Sequence, residues 1–202
     1  MLQGKLAGPI SPMAEDYVSA ILESTVRLGA LIDNVLDLTQ GDAELAALER
    51  KPVDLAALLT SAAQDISARA AAKSIDFVQE VPLELGLVAG DARRLRQAVD
   101  HLLINAIRYT QEGGRVLLHA TGDADGVRMT ISDNGPGMDA ADQALALGRF
   151  SRGSGPADSD GQRALGIGLP LARHYVEGHG GTLTLISELG VGTAVQIELR
   201  RT

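Results

Sequence analysis

Met129-Thr130-Ile131-Ser132-Asp133-Asn134-Gly135-Pro136-Gly137-Met138 begins as a strand and then breaks. Val127, Met129 and Ile131 alternate with Arg128, Thr130 and Ser132, the period-two pattern of a half-buried strand. Asn-Gly-Pro-Gly cannot continue a ladder, so the strand stops at Asp133. A carboxylate held at a strand's end can accept a hydrogen bond from an exocyclic amine. Gly135 and Gly137 would let backbone approach a ligand where a Cβ blocks it. The alternative for the same letters is a plain β-turn with an Asx cap.

Working outward, four more blocks stand at fixed distances. Upstream lies His101-Leu102-Leu103-Ile104-Asn105-Ala106-Ile107-Arg108-Tyr109-Thr110. Downstream lie Arg149-Phe150-Ser151-Arg152 and Gly166-Ile167-Gly168-Leu169, followed by Glu177-Gly178-His179-Gly180-Gly181-Thr182. With the opening stretch, these resemble the N, G1, F and G2 boxes of two-component sensor histidine kinases. The ATP-binding domain of those kinases shares a superfamily with gyrase B, Hsp90 and MutL. The resemblance runs over about residues 12 to 200.

That resemblance implies an α+β fold of the Bergerat type: a mixed five-stranded sheet with helices on one face, preceded by one long helix of a dimerisation hairpin. Residues 1–42 would be the second helix of that hairpin and 43–202 the catalytic ATP-binding domain. The implied cofactors are ATP and Mg²⁺. Asp133 would read the adenine amino group, with Gly135 and Gly137 admitting the base and Tyr109 covering it. Asn105 would coordinate Mg²⁺, and Arg108 would reach phosphate. Gly166, Gly168 and Leu169 open a helix whose amides and positive dipole end can face phosphates. Arg149, with Arg152, would reach the γ-phosphate. Each has a plainer alternative: a buried hydrogen-bonded amide at Asn105, a surface pair at Arg108 and Tyr109, a hinge at the glycines, solvated lid residues at Arg149 and Arg152. His174 and His179 read as structural.

The sequence departs from the family pattern in four places. His101 stands where the N box has Asn, and where gyrase-like ATPases place a water-activating Glu. An imidazole could still bond the metal's water shell, but it is a poorer partner for Mg²⁺. Leu147 replaces the leading Phe of the F box, Ala164 replaces a Gly, and Pro170 enters a first helical turn, which tolerates it. These changes leave adenine recognition intact and bear on phosphate handling.

Composition sets the outer bounds. The chain has 202 residues, 45% hydrophobic, with three Tyr, two Phe and no Trp. Its core must therefore be Leu, Val, Ile and Ala. A net charge of −8 argues against a nucleic-acid surface. There is no cysteine, which excludes disulfides and zinc–thiolate sites. No apolar run is long enough to span a membrane, so a cytoplasmic location is expected, with any anchor lying outside this chain.

The remaining pattern supplies the elements. Val18, Ile21, Thr25, Leu28, Ile32 and Val35 predict a helix over 13–40, about 40 Å long, that needs partner helices to cover its stripe. Residues 43–53 read as a linker. Asp54 is a candidate N-cap for a helix to about Ala72. Short strands are expected near 75–78 and 87–89, and a helix from Asp91 to Tyr109 with Leu95, Val99, Leu102, Leu103 and Ala106 inward. Strands follow at 115–121 and 127–133, then a Gly- and Asp-rich stretch at 139–165 resembling the ATP lid. A helix over 169–178 and strands at 182–186 and 193–199 close the domain.

The leading functional expectation is the ATP-binding module of a protein-histidine kinase, a transferase signalling to a response-regulator receiver domain. It would be a homodimer through the complete hairpin. The acceptor would sit in a His-Glu-x-x-x-Pro context on the first hairpin helix. None of the four histidines, His101, His119, His174 and His179, has that context. The alternative is a pseudokinase or phosphatase scaffold that binds a receiver domain, like atypical cell-cycle kinases of the DivL kind. A gyrase- or Hsp90-like ATPase fits less well, because of the N-terminal helix and the F box.

Overall fold

The computed structural model describes residues 13, 14, 17, 18, 21, 25, 48–148 and 166–201. The chain divides into two compact units, Met1–Gln40 and Gly41–Thr202. In the first, Met13, Ala14, Tyr17, Val18, Ile21 and Thr25 are helical. Thr25 Oγ1 donates back to the Ile21 carbonyl at 2.8 Å. The rest of the expected 13–40 helix, with its end at Gly41-Asp42, lies outside the described residues.

In the second unit, β1 (Lys51–Asp54) leads into α1 (Leu55–Ala72), followed by β2 (Asp76–Glu80) and β3 (Leu87–Gly90). Next come α2 (Ala92–Tyr109), β4 (Arg115–Gly122), β5 (Gly126–Asp133) and α3 (Ala140–Ala146). The last elements are α4 (Gly168–Gly178), β6 (Thr182–Glu188) and β7 (Gly192–Arg200). A five-stranded sheet runs in the order β2-β4-β5-β7-β6. The β2–β4 pair is parallel and the others antiparallel. A parallel neighbour needs a crossover, and α2 supplies it.

The caps follow the sequence. Asp54 accepts from the Ala57 amide at 3.1 Å to start α1. Asp91 accepts from the Arg93 and Arg94 amides at 3.0 and 3.1 Å to start α2. Leu95, Val99, Leu102, Leu103 and Ala106 are all buried, as their spacing requires. They meet one face of the sheet, where Val116, Leu118, Met129, Ile131 and Ile197 are buried while alternate positions stay partly exposed. This is the mixed sheet with helices on one face expected from the motifs.

Two elements differ from the expectation. Residues 51–53 read as linker but, with the N-cap Asp54, form β1, which pairs antiparallel with β3 in a separate two-stranded sheet. A four-residue strand whose partner lies over thirty positions away leaves no periodic trace. Within the Gly- and Asp-rich 139–165 stretch, residues 140–146 form α3, capped by Asp139, which accepts from the Asp142 amide at 2.8 Å. Residues 149–165 lie outside the described residues.

Candidate functional site

Asp133 is the last residue of β5, paired with Val116 on β4 and Thr193 on β7. It is half-buried, and its Oδ1 accepts from the Gly135 amide at 2.9 Å. The Asx turn is therefore real, and it is the device that aims the carboxylate. Burial pushes the Asp133 carboxyl above its ordinary range, while the Gly135 and Thr193 amides pull it back. A desolvated acceptor fixed in this way suits one matched donor better than bulk water does.

The glycines around it serve backbone packing. Gly137 has φ +67, and a Cβ there would fall on the Glu188 carbonyl. Gly192, at φ +139, would likewise collide with the Asp133 carbonyl. A Cβ on Gly135 would come within 2.8 Å of Asp133 Oδ1 and 2.9 Å of the Tyr109 carbonyl. The space that the sequence reading assigned to a ligand at Gly137 is thus filled by the β6–β7 hairpin. Gly135 instead brings the end of α2 against the Asp133 turn.

A second cluster forms where α4 starts. The position of a Cβ on Gly168 would be 3.4 Å from Asn105 Nδ2 and 3.7 Å from both Asn105 Oδ1 and His101 Cβ. The first turn of α4 therefore lies directly over Asn105 and His101 of α2. Ile167 precedes that turn with no side-chain cap, and the turn contains no acidic residue. Gly166 takes φ +67 to enter it, Leu169 is partly exposed and Pro170 is buried. Uncapped amides, a helix dipole and an amide oxygen meet in one place, a donor set that suits phosphate oxygens and a hard cation. His101, Asn105, Arg108 and Tyr109 are all partly exposed.

The two helices are tied together where α2 starts and α4 finishes. Arg94 Nη1 donates to Tyr175 Oη at 2.8 Å and lies over its ring. His179 Nε2 accepts from the Asp91 amide at 2.9 Å, and its Nδ1 donates to the Tyr175 carbonyl at 2.7 Å. Burial is the largest of the causes that lower the His179 pKa. Its role is structural, as expected. Arg149 and Arg152 lie outside the described residues.

Three contributors carry no sequence motif. Lys73 Nζ donates to the Ile107 and Arg108 carbonyls at 3.0 and 2.7 Å, capping the end of α2 that bears Arg108 and Tyr109. Ser187 accepts from the Met138 amide at 2.9 Å. Gln143 Nε2 donates to the Met138 and Ser187 carbonyls at 3.1 and 2.8 Å. Each acts across 34 or more, 49 and up to 44 positions, respectively, which no local pattern reports.

Comparison with known proteins bears on this geometry. The family of histidine kinase-, DNA gyrase B- and HSP90-like ATPases matches residues 90–202. The sensor protein DivL of Caulobacter vibrioides is 36% identical over 199 residues, 97% of this chain and 25% of DivL. The circadian input-output histidine kinase CikA of Synechococcus elongatus is 30% identical over 195 residues, 94% of this chain and 25% of CikA. The crystal structure of full-length ShkA in complex with AMPPNP aligns at a TM-score of 0.75 and 29% identity, over 96% of this chain and 40% of ShkA. The chain thus spans about a quarter of the length of DivL and of CikA.

Proposed function

The chain belongs to the family of histidine kinase-, DNA gyrase B- and HSP90-like ATPases, and on that premise we propose that it binds Mg-ATP and is the catalytic module of a sensor histidine kinase. Residues 43–202 would hold the nucleotide, and residues 1–42 would contribute one helix of a dimerisation hairpin. Asp133 takes the adenine amino group beside Tyr109, with Gly135 and Gly137 shaping the turn. Gly166, Gly168 and Leu169 present helix amides to phosphate, aided by Arg108 and Arg149. Asn105 offers its amide oxygen to Mg²⁺, with His101 against the ion's water shell. Among the described residues no group of three His, Cys, Asp or Glu could hold a metal. An ion that draws most of its oxygens from water and phosphate does not require one. Bound Mg-ATP would supply the phosphoryl group, and the chain's part is to position it and neutralise its charge.

The observation that carries this reading is the first turn of α4 packed over Asn105, so close that a Cβ on Gly168 would lie 3.4 Å from the Asn105 amide nitrogen. The phosphoryl group would pass to a histidine outside residues 1–202, then to a receiver domain of a response regulator, in the cytoplasm. Titration of the chain with Mg-ATP tests the first step. No heat and no fluorescence change up to millimolar nucleotide would sink it.

A scaffold reading is favoured by His101, an imidazole beneath the α4 turn, where the resemblance leads one to expect an amide. In that reading the unit binds a receiver domain and turns over little ATP. Measurable binding of Mg-ATP with no phosphoryl transfer in the full-length protein would select it.

A further inference from the structure

We propose that Ser187 and Gln143 are positioning residues for the nucleotide base, forming a latch that holds the Asp133–Met138 turn in its reading conformation. The inference rests on the nucleotide reading above. Ser187, Thr193, Asp133 and Val116 form one transverse row across β6, β7, β5 and β4. Ser187 therefore stands two strands from the carboxylate, on the edge of the sheet.

Its hydrogen bonds are fully determined. The Gly192 carbonyl can only accept, so the single Ser187 hydrogen goes there, at 2.9 Å. The Met138 amide can only donate, so Ser187 Oγ accepts from it at 2.9 Å. The remaining contact, 2.8 Å to Thr193 Oγ1, must then be donated by Thr193. Gln143 spends both Nε2 hydrogens, one on the Met138 carbonyl and one on the Ser187 carbonyl. Both backbone polar groups of Met138 are thus tied to these two side chains. The Gly190 amide donates to the Pro136 carbonyl at 2.7 Å and pins the turn's middle to the same hairpin. At its other end the turn is anchored by Asp133 itself. A turn fixed at both ends keeps the carboxylate aimed without needing a ligand to order it, which spares that cost on binding.

Replacing Ser187 with Ala leaves the Met138 amide and the Gly192 carbonyl without this partner and releases the Thr193 hydroxyl. Gln143→Met keeps helix propensity and removes both donors.

The test measures dissociation constants of the wild-type chain, Ser187→Ala, Ser187→Thr and Gln143→Met for Mg-ATP, ADP and adenosine, well below each melting temperature. Hydrogen exchange at the Met138 amide is followed in the absence of nucleotide. Ser187→Ala and Gln143→Met should weaken all three ligands by a similar factor, roughly tenfold. A common factor marks an effect at the base, which a general loss of stability would not produce in folded protein. Ser187→Thr should restore both affinity and slow exchange. Wild-type binding with unchanged affinity in both variants overturns the latch alone. Loss confined to ATP also overturns it, because the effect would lie at the phosphates. No binding by the wild-type chain overturns the nucleotide reading and the latch's role with it.

Discussion

The imidazole of His179 joins the end of α4 to the start of α2, its Nε2 accepting the Asp91 amide at 2.9 Å. Only a neutral ring can accept there while Nδ1 donates to the Tyr175 carbonyl. Burial, helped by nearby Arg50, lowers its pKa, against the opposing pull of Asp91 and the Tyr175 carbonyl. The unfolded chain then takes up its proton first as pH falls, near about 6.5. Stability from this contact is complete above that value and is lost as pH drops toward the folded pKa. Melting temperatures measured between pH 8 and 5 should fall more steeply for the wild-type chain than for His179→Gln. Equal slopes would show that the ring does not titrate against folding.

Asp133→Asn should separate binding from stability. The carboxylate's pKa is raised by burial, so its ionised form is the costly one and its contribution to stability is lost as pH rises through that pKa. The amide keeps an acceptor for Gly135 and removes the charge. Mg-ATP affinity should fall by about 1–3 kcal/mol, ten- to hundredfold, while the melting temperature at pH 7 holds or rises. A large drop in melting temperature would show the carboxylate to be a structural group.

Gly137→Ala places a Cβ on the Glu188 carbonyl at a φ of +67. Strain and overpacking together should cost about 2–4 kcal/mol, read as a lower urea midpoint with an unchanged slope. An unaltered midpoint would mean that the hairpin yields freely.

Lys73→Met removes the charge that caps the last carbonyls of α2. Loss of about 1–2 kcal/mol in stability is expected. Mg-ATP affinity should drop as well, because Arg108 and Tyr109 ride on that end. Stability lost with affinity intact would confine Lys73 to a structural part.

Incubation of the chain with labelled ATP should leave it unlabelled. None of its histidines, His101, His119, His174 and His179, stands in a His-Glu-x-x-x-Pro context. Acid-labile label on any of them, located by peptide mapping, would refute this.

Much of this was legible in the sequence because the signals are local. Asp54 and Asp91 precede apolar helical stripes, and both became N-caps. The alternation before Asp133 is cut off by Gly135-Pro136-Gly137, which fixed the end of β5. What escaped is set by distance or by ambiguity. The four-residue β1 is too short to show periodicity, whereas its partner β3 was expected. Residues 140–146 are Ala-rich with no apolar stripe and no buried position, so they resemble loop in composition while capped as a helix. Lys73, Gln143 and Ser187 are ordinary residues until folding brings distant carbonyls and amides to them. The missing Cβ of Gly137 makes room for the Glu188 backbone, a neighbour fifty-one positions away that no local pattern reports.

The placement of β7 between β5 and β6 bears on how the protein is made. A ribosome delivers Asp133 sixty residues before Thr193, its cross-strand neighbour. Until residues 192–200 emerge, β5 has one edge unpaired and Ser187 has neither Gly192 nor Thr193 to bond. The nascent chain therefore exposes a strand edge that invites wrong pairing, and the Asp133–Met138 turn gains its hairpin contacts only when β7 slots between β5 and β6.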